Sequence, residues 1–60
     1  MSELAIMDYS TGEVFLYTLP QSIESVEDYI VNELKFRLSD IEWMVGNITI
    51  HDERKYFNRI

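Results

Sequence analysis

Two short, largely apolar segments lie near the N-terminus, Leu4–Tyr9 and Glu13–Leu19, with Ser10-Thr11-Gly12 between them. Both segments are rich in β-branched, aromatic and aliphatic residues, the signature of two strands joined by a tight turn. With a three-residue loop, Gly12 adopts the left-handed conformation and Tyr9 faces Glu13. Ile6 then opposes Leu16 on one face, while Met7 opposes Phe15 and Ala5 opposes Tyr17 on the other.

Pro20 ends the second strand because it has no N–H to donate. Beyond it the apolar period changes. Ile23, Val26, Ile30 and Leu34 recur at spacings of three and four, forming one stripe that predicts a helix over about 23–36. Ser22 or Ser25 is placed to cap it, with Asp28 a near match to the acidic member of a capping box. Lys35 and Arg37 stand at the end where the helix dipole favours cations.

A pair of alternating segments follows, Ile41–Val45 and Ile48–His51, around Gly46-Asn47. Glycine first in a two-residue loop suits a type II′ turn, so a second hairpin is predicted. Val45 would face Ile48, and Trp43 would face Ile50. Residues 53–60 show no clear period and either extend the last strand or form a flexible tail.

The predicted product is an α+β domain, a two-layer ββαββ arrangement with a four-stranded, mainly antiparallel sheet and one helix on one face. One helix shields one side. Met7, Phe15, Tyr17 and Met44 are therefore expected on the uncovered side, as a contact for a second copy of the chain or another protein. The competing arrangement places Tyr56 and Phe57 across that face, within the same chain.

Composition narrows the options. Sixty residues form a single small domain, 1–60, and 47% hydrophobic with 27% charged residues is the balance of a folded chain. With no cysteine, neither a disulfide framework nor a thiolate metal site can form. The longest apolar run, Val14–Tyr17, is far short of the roughly 20 residues of a membrane-spanning helix. Met1-Ser2-Glu3 lacks the basic start of a secretory signal, so a cytoplasmic location is expected.

Five bases against eleven acids give a net charge of −6. Residues 1–34 carry seven of the acids and no base. Such a surface repels phosphate backbones, so direct nucleic-acid binding is disfavoured, even though Arg54-Lys55-Tyr56-Phe57-Asn58-Arg59 interleaves bases with aromatics. The acids Glu24, Glu27, Asp28 and Glu33 support an alternative function: an acidic nucleic-acid mimic that occupies the groove of a basic protein. Their ordinary role is to keep a small domain soluble.

His51 is the one imidazole, and Asp40, Glu42 and Asp52 are the carboxylates that could orient it. Glu42 would be its cross-strand neighbour, an ordinary surface pair. Asp52 and Glu53 follow on opposite faces and do not converge on a metal. No phosphate-binding loop or nucleophile elbow is present. A non-enzymatic chain without catalytic residues, cofactor or metal is expected.

The stretch Leu38-Ser39-Asp40-Ile41-Glu42-Trp43-Met44-Val45-Gly46, with Met7-Asp8-Tyr9-Ser10 before it, resembles a set of short uncharacterised proteins from gut Bacteroidales. The likeness covers about two thirds of the chain. It implies a bacterial cytoplasmic origin and brings no activity, cofactor or site residue with it.

Overall fold

The computed structural model describes residues 2–54. Three strands, β1 (Glu3–Asp8), β2 (Glu13–Thr18) and β3 (Ile41–Gly46), form an antiparallel sheet in the order β2-β1-β3. A short helical segment lies between β2 and β3, so the α+β class holds with a ββαβ layout among the described residues.

The first turn sets the register. Asp8 Oδ1 accepts from the Ser10 amide at 2.9 Å and from its hydroxyl at 2.6 Å, while Gly12 N–H donates to the Asp8 carbonyl at 2.8 Å. An aspartate bonded to a backbone two residues ahead folds the chain back by itself. The loop it makes is four residues long, Tyr9–Gly12, with Gly12 left-handed at φ 74° as expected. Glu13 consequently pairs with Asp8 rather than Tyr9, and Ile6 opposes Phe15 rather than Leu16. This one-residue difference from the three-residue loop exchanges the faces of β2.

Leu4, Ile6, Phe15, Tyr17 and Ile41 thus share the side covered by the helix. Leu4 and Ile6 are fully buried, together with Ile30 of the helix, and Leu19 and Ile41 complete the core. Ile23, Val26, Tyr29, Leu34 and Phe36 pack around it, so the predicted stripe does face the sheet.

The helix is shorter than its stripe. Ser25 is extended, at φ −137° and ψ 123°, and its Oγ accepts the Asp28 amide at 3.3 Å, so helical geometry begins at Val26 and not at Ile23. One α-turn, Val26–Asp28 (α1), passes into a wider π-turn, Tyr29–Glu33, in which Leu34 N–H reaches back to the Tyr29 carbonyl at 3.1 Å. Lys35 then takes a left-handed conformation, φ 68°, and Phe36 N–H bonds the Ile30 carbonyl at 3.1 Å. This exit turns Phe36 onto the sheet, edge-on to Phe15 with ring centroids 5.4 Å apart.

A 3₁₀ turn, Leu38–Asp40, leads into β3, and Tyr9 N–H donates to the Asp40 carbonyl at 2.8 Å, extending the β1–β3 ladder. Trp43 opposes Ile6 and Val45 opposes Leu4, on the helix side as expected. The predicted second hairpin does not form: Ile48–His51 is no strand, and the sheet has three strands among the described residues rather than four. Gly46, at φ 157°, redirects the chain, and the Ile48 amide is captured at 3.0 Å by Glu3 Oε1. Glu3 belongs to the uncovered side, so the chain crosses onto that side instead of returning along β3. Glu53 and Arg54 do not extend a strand.

A lysine in the left-handed region carries a strain of about 1 kcal/mol that glycine does not. Lys35→Gly is expected to raise the thermal midpoint by several degrees in a chain this short, and Lys35→Val to lower it. Thermal unfolding followed by circular dichroism measures both.

Candidate apolar groove on the uncovered sheet face

The side of the sheet opposite α1 is built by alternation: Ala5 and Met7 from β1, Val14 and Leu16 from β2, Met44 from β3. The trailing chain after Gly46 lies over part of it. Between that chain and the strands runs a groove of about 290 Å³, lined by Met7, Val14, Leu16, Met44, Ile48 and Ile50 among others. Met7, Leu16 and Met44 are 47%, 45% and 57% exposed, and Val14 and Ile50 are 65% and 63% exposed. Five large apolar side chains left half-open side by side approach the patch size that on a small monomer usually has a reason.

Of the four residues expected here, Met7 and Met44 are in place. Phe15 and Tyr17 are not; the four-residue turn puts them on the helix side, stacked at 6.3 Å and packed against the core. Val14 and Leu16 hold the positions they were expected to fill. Alternation could not make this choice, because Val-Phe-Leu-Tyr is apolar at every position. The usable local signal was Asp8 two residues before Ser10. Tyr56 and Phe57, the alternative cover, lie outside the described residues.

Glu3 anchors the groove's irregular wall. Its carboxylate is half-buried and bonds a backbone amide forty-five residues away in sequence, fixing where Ile48 and Ile50 cross the sheet. Farther on, Arg54 grips Asp52 with two bonds, Nε to Oδ1 at 3.0 Å and Nη2 to Oδ2 at 2.7 Å. That fork holds the Asp52 carboxyl below its ordinary range and raises the guanidinium in turn. Ile50–Arg54 and Val14 line a shallow dent beside the groove.

The remaining candidates are dispersed. His51 is exposed in the trailing chain and is not across a strand from Glu42. Asp40 is 3.8 Å from Arg37, and Asp52 belongs to Arg54. No group of three His, Asp or Glu side chains suited to a metal ion occurs among the described residues. Glu24, Asp28 and Glu33 share a shallow dent along the helical segment; Glu27, also exposed, is not part of it. No helix among the described residues is long and apolar enough to cross a membrane.

No family model, curated protein or solved structure matches this chain.

Two outcomes follow from this geometry. Glu3→Ala should release the trailing chain and speed hydrogen exchange at the Ile48 amide by about tenfold, since a bond to a carboxylate is worth roughly 1.5–3 kcal/mol when well shielded and less when half-exposed. Asp8, half-buried at the start of the turn, is held below its ordinary value of 3.8, first by the Ser10 hydroxyl and then by backbone amides of the turn. Its contribution to stability is therefore complete above the ordinary value and is lost as pH falls through the lowered folded value. The urea midpoint of the wild type should exceed that of Asp8→Asn near neutral pH, and the gap should close by about pH 2.

Proposed function

We propose that this chain is a small non-enzymatic binding module that engages another polypeptide, or its own copy, through the uncovered sheet face. The observation that supports this reading is the groove itself: Met7, Val14, Leu16, Met44 and Ile50 stand half-open together on the side away from the core. An apolar segment laid there would remove them from water at about 25 cal/mol per Å² of apolar surface, the term that dominates most protein association. Two of the contributors are methionines, whose unbranched thioethers adapt to differing partner shapes.

The alternative, an acidic mimic acting through Glu24, Glu27, Asp28 and Glu33, is favoured by three of those acids sharing one dent. It predicts an attraction led by charge, and such attraction is screened within a few Å at about 0.5 M salt.

Peptides selected from a random library on the immobilised chain separate the two. Apolar ligands are expected, with binding that survives about 0.5 M salt. Their affinity should fall at least about tenfold, or about 1.4 kcal/mol, in the doubly substituted Met7→Lys, Met44→Lys chain, whose circular dichroism should be unchanged. Basic ligands that release in salt and ignore that double substitution would overturn the groove as the binding surface.

A further inference from the structure

Among the described residues the outer side of β2 has no partner in the sheet, whose order is β2-β1-β3. Leu19 N–H bonds the Ser2 carbonyl at 3.0 Å, and pairing alternates from there. Tyr17, Phe15 and Glu13 therefore turn their backbone groups towards β1, while the N–H and C=O groups of Val14, Leu16 and Thr18 point outward. No side chain or backbone bond to these outward groups occurs among the described residues.

Natural edges are blunted by lysine, proline, a bulge or a covering loop. Val14–Thr18 contains no lysine, proline or bulge, the trailing chain lies beside this edge only at Val14 among the described residues, and no charged residue occurs from Val14 through Ile23 in a chain that is 27% charged. The opposite edge differs, since β3 holds Glu42 within the strand.

A two-fold axis perpendicular to the sheet keeps both helices on one side, and it requires residues of the same face to oppose each other across the seam. Centred on Leu16, such an axis sets Val14 against Thr18 of the second copy, Phe15 against Tyr17, and Leu16 against itself. Every outward donor and acceptor of Val14–Thr18 then finds a partner. Centring on Phe15 would set Thr18 against Gly12 in the turn, and centring on Tyr17 would set Val14 against Pro20, which has no N–H. The helix-side aromatics would join across the seam, and the two apolar grooves would lie on one continuous surface.

From this edge we infer that a second copy of the chain pairs antiparallel along β2 with Leu16 on the two-fold axis, a contact separate from the groove proposed above. The contact is confined to one strand and its flanks. It buries several hundred Å², less than the 1,200 Å² or so of stable complexes, so the dimer is a weak one that forms with concentration. Each copy carries −6, so salt strengthens it by screening the repulsion.

Sedimentation equilibrium from about 10 µM to about 1 mM tests this, with association expected to rise between about 0.15 and 0.5 M salt. The chain made by synthesis with N-methylleucine at position 16 keeps the β1 ladder and the side chain but loses the central outward N–H. Its dimer dissociation constant should rise at least about tenfold. The natural chain has no cysteine, so Leu16→Cys reports the axis directly: its disulfide dimer should form at least about tenfold faster than that of Thr11→Cys in the exposed turn. The Met7→Lys, Met44→Lys chain should dimerise at least as well as the wild type, because neither side chain is on β2 and the two lysines lower the charge of each copy from −6 to −4. A monomer at every concentration, or cross-linking no faster at position 16 than at 11, overturns the inference. Dimerisation lost with the two lysines but untouched by N-methylation also overturns it, while leaving the groove as the binding surface.

Discussion

The Asp8 carboxylate holding the Ser10 amide and hydroxyl is the contact on which the rest of this fold depends. It closes a four-residue loop, and the loop's length decides which residue of β2 meets which residue of β1. Phe15 and Tyr17 are sent beneath the helix, where Phe36 meets Phe15 edge-on. Val14 and Leu16 are sent to the other side, where they become a surface. A loop shorter by one residue would have given the same sheet with its β2 chemistry inverted.

The covering layer is small, which explains the imbalance between the two sides. Only eight residues, Val26–Glu33, are helical before Lys35 turns the chain, and the buried core they close comprises Leu4, Ile6, Leu19, Ile30 and Ile41. A chain of this size has a stability of only a few kcal/mol. The wide π-turn and the left-handed lysine are local departures from favoured geometry, accepted because together they bring Leu34 and Phe36 onto the sheet.

On the far side, a single long-range bond does the organising. The Glu3 carboxylate takes the Ile48 amide, and the chain that might have added a strand to β3 becomes a wall over the apolar face. The groove therefore has one side made of strands and one made of irregular chain, a combination that leaves apolar side chains half-open and, among the described residues, both sheet edges unpaired. Acids crowd the helical segment and the tips, while the β2 edge is neutral from Val14 onward. Charge and open apolar surface thus occupy different parts of the molecule.

The α+β class, the β1–β2 hairpin, the apolar helical stripe and a serine cap at Ser22 or Ser25 could all be read from the chain, because each depends on local periodicity or a neighbouring hydrogen bond; the choice of Ser25 came with the fold. Met7 and Met44 were also expected on the uncovered side, as strand neighbours of Ile6 and of Trp43 and Val45, although Leu4–Met7 and Trp43–Val45 are apolar at every position. Tertiary structure alone decided the fate of Val14–Tyr17, which is apolar at every position and takes its faces from the turn. It also decided the path of Ile48–His51, whose alternation suits a strand equally well, and whose course was set by a glutamate at the opposite end of the sequence. Local patterns fix what a segment can become; the choice among allowed outcomes was made here by one side chain at each of two places, Asp8 nearby and Glu3 far away.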